Sequence, residues 1–76
     1  MNKLKDRIIA VLQKVFELEQ IDENASQQTI EKWDSLAHLN LIVALEEEFD
    51  ISFEPEEIAE MISVQMIINF IDNHLK

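Results

Sequence analysis

Residues 33 to 42 read WDSLAHLNLI: an Asp and a Ser stand side by side behind a Trp, ahead of a mostly apolar run. Asp34 and Ser35 are both of the residue types that cap helix N-termini by accepting a backbone N–H, and the pattern that follows is helical through Asp50. At about 100° per residue, His38, Leu41, Ile42, Leu45 and Phe49 fall within one arc, the natural core face. Leu36, Leu39 and Val43 form a second apolar stripe well away from it, in a sector shared with Asn40, Glu46, Glu47 and Asp50. A helix apolar on two faces is usually buried on both, but a chain of 76 residues cannot bury many helices all round. Two readings stay open. Either a short helix further on covers the second stripe, or the stripe and its carboxylate rim dock a partner with an apolar, basic surface.

Upstream, from Asn2 to about Leu18, the residues Leu4, Ile8, Val11, Leu12, Val15 and Phe16 recur at helical spacing and predict a first amphipathic helix. Residues 19 to 34, EQIDENASQQTIEKWD, lose the period and have the composition of a long loop. Loops of that length are often functional. Ile21, Ile30 and Trp33 are expected to pin this one to the core, with a helical turn near Thr29. Downstream, Pro55 suits the first position of a short helix ending near Met61 or Ile62, with Glu56 and Glu57 close to its positive end. Ser63 can cap a last helix, in which Val64, Ile67, Ile68, Ile71 and Leu75 form the buried stripe and Asn69, Asp72 and Asn73 stay wet. Glycine is absent and Pro55 is the one proline, so the usual hairpin turns are missing. The expected fold is all-α: a small four-helix bundle of three main helices and one short one, with a long first loop, in a single domain spanning residues 1 to 76.

Composition narrows the function. Sixteen acidic against six basic residues give a net charge of -10, a field that repels nucleic acid and anionic lipid and steers basic protein surfaces toward the chain. No stretch approaches the roughly 20 apolar residues of a membrane span, and the N-terminal IIAVL is interrupted by Gln13 and Lys14 without a cleavage pattern. A cytoplasmic monomer is expected. With no cysteine there is neither a disulfide framework nor a Cys metal site, and the chain owns no thiol. A calcium loop fails for want of its glycine. No metal ligands are assigned.

Ser35 has three readings. It can be a plain cap, for which Asp34 competes. It can be a nucleophile with His38 one turn on as base, but nothing marks a residue to orient His38, and no glycine-built elbow or pocket is expected. His38 is then a partly buried or boundary side chain, and His74 sits favourably at the negative end of the last helix. No catalytic residue is assigned. Third, Ser35 can be a site of covalent modification, where a phosphate group would meet the free N–H groups of a helix N-terminus.

Asp34-Ser35-Leu36, followed by LNLIVALEEEFDISFEPEEI and then SVQMIINFI, resembles the acyl and peptidyl carrier proteins. The likeness runs over essentially the whole chain, and ALEEEFDI with the later SVQ makes it far more specific than Asp-Ser-Leu alone. The resemblance implies a four-helix bundle in which Ser35 receives 4′-phosphopantetheine from coenzyme A. It implies that Asp34 helps a phosphopantetheinyl transferase recognise the protein and place the Ser. Leu36, Leu39, Val43, Glu46 and Glu47 would lie on the face that docks the transferase and client enzymes. Where many members have Gly two residues before the Asp, this chain has Lys32, with Trp33 between, a difference that bears on partner identity.

A carrier that moves acyl groups as thioesters needs a sulfur, and here only a prosthetic arm can supply it. Chemistry would belong to acyl- or aminoacyl-loading enzymes and downstream synthases or transferases with basic docking surfaces, while this chain presents cargo on a tether. It would not be an enzyme. The rival from another class is an unmodified acidic adaptor that binds a basic partner through the second helix; it shares the acidic stripe and has no use for Asp34-Ser35-Leu36. Crowded carboxylates repel one another in the compact state, so added salt or magnesium is expected to raise the thermal midpoint. A melting curve unchanged by either would contradict that reading of the charge.

Overall fold

Ile8, Leu12 and Phe16, one face of the first amphipathic stretch, are all buried in the computed structural model, which describes residues 3–76. They lie on helix α1 (Lys3–Phe16), followed by α2 (Ser35–Phe49), α3 (Pro55–Glu60) and α4 (Val64–Leu75). The described residues hold no β-strand beyond one isolated bridge, so the fold is all-α as the missing hairpin turns implied. α1 packs against α2 and α4, bringing its stripe onto Leu41, Ile42, Leu45 and Phe49 of α2 and Val64, Ile67 and Ile71 of α4, all buried. Shared burial of these faces is what stabilises helices this short.

Two boundaries differ from expectation for the same reason. α1 stops at Phe16 rather than Leu18 because Glu17 takes φ 55°, which lets the Leu18 N–H donate back to the Gln13 carbonyl at 3.1 Å. α2 closes likewise through Asp50, at φ 54° and ψ 51°, with the Ile51 N–H on the Glu46 carbonyl at 3.1 Å. Glycine usually fills such left-handed closing positions, and this chain has none. The expected start at Asn2 lies outside the described residues.

The long loop is tied down along its length. Its turn near Thr29 closes with the Ile30 N–H on the Ser26 carbonyl at 2.9 Å, and Ala25, Ile30 and Trp33 enter the core while Ile21 packs against it half-buried. Further on, Ser26 and Ser63 form an antiparallel bridge, with Gln27 N–H on the Ile62 carbonyl at 2.8 Å and Val64 N–H on the Ala25 carbonyl at 3.0 Å. The loop is thus stitched to the α3–α4 junction. Lys5 adds an ion pair from α1 to Glu23 at 2.8 Å, and that contact raises the Lys5 ammonium above its ordinary value.

α3 is the exception to the core logic: none of its residues is buried. It is held by side chains from elsewhere. Phe53, just before it, is buried and its N–H donates to Glu46 Oε2 at 2.9 Å. Glu57 accepts from the Glu54 N–H at 2.9 Å and meets His74 Nε2 at 3.0 Å; the backbone bond first, and His74 second, hold its carboxyl below the usual range against the effect of burial. His74, expected only to complement the α4 dipole, therefore also ties α4 to α3, edge-on to the Phe53 ring with centroids 5.2 Å apart.

Ser63 caps α4 as expected, accepting from the Met66 N–H at 3.1 Å. One member of the expected α4 stripe is corrected: Leu75 is 51% exposed, because the helix ends there and no further element covers its last turn. Ile68 is half-buried rather than enclosed, and Asp72 is half-buried rather than fully wet.

A non-glycine residue in the left-handed region costs about 1–2 kcal/mol, partly offset by the freer unfolded chain that glycine brings. Glu17→Gly should therefore raise stability by about 0.5–1 kcal/mol in chemical denaturation, and a fall would show that the Glu17 side chain supports the α1 end.

Candidate functional site

Asp34 settles the competition at the mouth of α2. Its backbone is extended, its Oδ1 accepts from the Ala37 N–H at 2.8 Å, and its carbonyl takes the His38 N–H at 2.8 Å. Asp34 is the N-cap, and Ser35 is the first residue of the helix. The Ser35 side chain is exposed and its hydroxyl makes no hydrogen bond among the described residues. The N–H groups of Ser35 and Leu36 are also without a partner among the described residues, as the first turn of any helix leaves them. An exposed hydroxyl therefore stands next to open donors at the positive end of a helix of 15 residues, with one carboxylate beside it. A phosphate ester fits this set of groups.

His38 is not a base for Ser35. Trp33 Nε1–H donates to His38 Nδ1 at 2.9 Å within the core. An indole nitrogen only donates, so Nδ1 is the unprotonated nitrogen and Nε2 carries the proton, which it gives to the Ile58 carbonyl at 2.7 Å. Both nitrogens are spoken for, and the residue is only 9% exposed. His38, which its spacing puts on the core face and which is expected from the sequence to be partly buried or at the boundary, is buried with both nitrogens satisfied. Trp33 itself is buried against the Phe16 ring, centroids 5.3 Å apart.

The second apolar stripe is open. Leu36, Leu39 and Val43 are 70%, 57% and 52% exposed, and α3 does not cover them. Of the acids expected beside them, Glu47 is exposed and has no partner among the described residues. Glu46 is half-buried, with its carboxylate turned to the Phe53 N–H. Glu48 is neutralised by Arg7, whose Nη2 lies 3.0 Å from Oε2 and whose guanidinium also covers the Phe49 ring at 4.4 Å. No basic residue occupies the last turn of α2, so Glu47 sits uncompensated at the negative end of its helix. Lys32 is exposed. No cluster of metal-ligating side chains occurs among the described residues, and no helix among them is long and apolar enough to cross a membrane.

The partners of His38 and the backbone bond of Glu46 were not legible from sequence. The only signal was a buried-type Trp five positions before a His on a core face. Since Asp34 rather than Ser35 caps α2, Ser35→Ala should leave unfolding free energy within about 0.5 kcal/mol of the parent, whereas Asp34→Ala should lose about 1 kcal/mol. Equal losses in thermal denaturation would return a capping role to Ser35.

No family profile matches the chain. Among curated proteins, it is 36% identical over 78 aligned positions to the acyl carrier protein of Buchnera aphidicola subsp. Schizaphis graminum, an alignment that takes in 100% of this chain and 99% of that one. Full-length similarity at this level, on a four-helix fold with Asp-Ser-Leu at the mouth of α2, makes the chain a carrier rather than an enzyme: it belongs to the acyl carrier protein family.

Proposed function

We propose that the chain carries acyl or aminoacyl groups as thioesters on a 4′-phosphopantetheine arm joined to Ser35 Oγ by a phosphodiester, and presents them to biosynthetic enzymes. The observation that carries this reading is the Ser35 hydroxyl, exposed and unbonded at the N-terminus of α2 because Asp34 does the capping. A residue needed for structure would be engaged, and this one is not. The absence of cysteine supports the arm as the source of sulfur. When bound, that arm supplies the thiol that holds cargo; the chain's own residues position it and recruit the enzymes that act on it.

Roles divide along α2. The Ser35 hydroxyl is the acceptor in transfer from coenzyme A, and the open N–H groups of Ser35 and Leu36 favour the phosphate charge once it is there. The Asp34 carboxylate, exposed beside Ser35, is offered to the phosphopantetheinyl transferase. Leu36, Leu39 and Val43 supply apolar docking area, and Glu47 with the outer edge of Glu46 draws the basic surfaces of transferase, loading enzyme and synthase. At a net charge of -10, encounter with such surfaces is accelerated at low salt. A cytoplasmic location, a monomeric state and a single carrier domain belong to the same proposal.

The test is the intact mass of the purified protein before and after incubation with coenzyme A, magnesium and a broad-specificity phosphopantetheinyl transferase. A gain of one phosphopantetheinyl group, absent in Ser35→Ala, is expected. No gain where a control carrier is modified would leave the acidic adaptor, docking basic partners through the same face without modification, as the better reading.

A further inference from the structure

We propose that His38 is a positioning residue for the reaction at Ser35: through one imidazole, α3 and the buried Trp33 together set the pose of the turn that presents the hydroxyl. This rests on the carrier reading and adds to it a means by which α3 governs the site.

The geometry is specific. Trp33 and His38 bracket Ser35, one residue before the cap and one turn after it, and their side chains meet at 2.9 Å beneath the exposed turn. Ser35 itself has no side-chain tie, the Asp34 side chain is bonded only to the Ala37 N–H of the same turn, and the Asp34 N–H reaches only the Lys32 carbonyl just upstream at 3.0 Å. The turn is thus oriented by what lies on either side of it. On one side Trp33 is fixed by burial against Phe16. On the other, the His38 ring is fixed by its second bond, 2.7 Å to the Ile58 carbonyl of α3.

Only one tautomer serves both bonds, since Trp33 can only donate and a carbonyl can only accept. The ring therefore cannot follow a displaced α3 without leaving the Trp33 N–H unpaired in the core, where an orphaned donor is expensive. α3 itself fully buries none of its residues and is too short to be helical alone, so its place depends on the half-buried Ile58 side chain against the core and on a few such links, with Glu57 to His74 as another. A shift of α3, whether from a docking enzyme or from cargo, is passed to Ser35 through His38.

The test compares transferase kinetics of the full chain with His38→Leu, which keeps the bulk and removes both bonds, and His38→Gln, whose amide can accept from Trp33 and donate to Ile58. Trp33→Phe, which deletes one bond and keeps the ring packing, serves should His38→Leu fail to fold. Loss of the alignment should lower kcat about tenfold in His38→Leu, with KM within about twofold because the docking face is untouched. His38→Gln should recover most of kcat, and Trp33→Phe should fall between. Trp33 is the only tryptophan, so its single indole N–H resonance reports the bond directly and should move toward the solvent-exchanging position in His38→Leu. Amide exchange at Trp33 and Ala37, whose N–H groups are bonded to the Ile30 carbonyl and to Asp34 Oδ1, should quicken in step.

Parental kcat in folded His38→Leu overturns the proposal, as does an equal loss in His38→Gln. If the parent protein takes no phosphopantetheine at all, the carrier reading has failed. The coupling is then decided by exchange alone: rates at Trp33 and Ala37 unchanged by His38→Leu overturn it, and quickened rates sustain it.

Discussion

A chain of two hydrogen bonds, buried from Trp33 N–H to His38 and part-buried from His38 to the Ile58 carbonyl, is the constraint on which the mouth of α2 depends. It brings the loop, α2 and α3 to one point in the core, where each polar group finds a partner. No buried side-chain nitrogen or oxygen among the described residues is left without one. In an environment of low dielectric an incomplete version of this chain would be worse than an apolar one, so the three elements are held together or not at all. Because His38 is consumed by structure and Asp34 by capping, Ser35 is released from both.

Charge is arranged on a similar principle. The three glutamates that end α2 stand at the negative pole of their helix, where acids are unfavourable, and each has a different fate. Glu48 is covered by Arg7, Glu46 secures the backbone leading into α3, and Glu47 is left in solvent beside the open Leu36, Leu39 and Val43 stripe. Stability alone would favour a lysine there. An uncompensated acid beside exposed leucines is better matched to a basic partner than to the isolated protein.

Much of this was legible in the sequence because the governing signals are local. Periodicity located α1, α2 and α4; Pro55 and Ser63 located the starts of α3 and α4; and the wider apolar arc of α2 marked its core face. Sequence left open whether α3 covers the second stripe, since a helix of six residues has too weak a pattern to reveal which way it faces. The ends of α1 and α2 were misjudged or blurred because their closing residues, Glu17 and Asp50, are not the glycine that marks such turns. Ser35 was readable as a helix-mouth residue, but its freedom depends on Asp34 taking the cap. The bonds of His38 span 5 and 20 positions, and contacts of that kind follow from tertiary packing, not from spacing.

The most direct test of this account is the protonation pattern of the His38 ring, read from its nitrogen chemical shifts in the folded protein at neutral pH. The expected result is a proton on Nε2, a bare Nδ1, and a Trp33 indole N–H coupled to that nitrogen and protected from water. A proton on Nδ1, or an indole N–H in free exchange, would contradict it, because His38 would then be available to Ser35 and the link from α3 to the site would be gone.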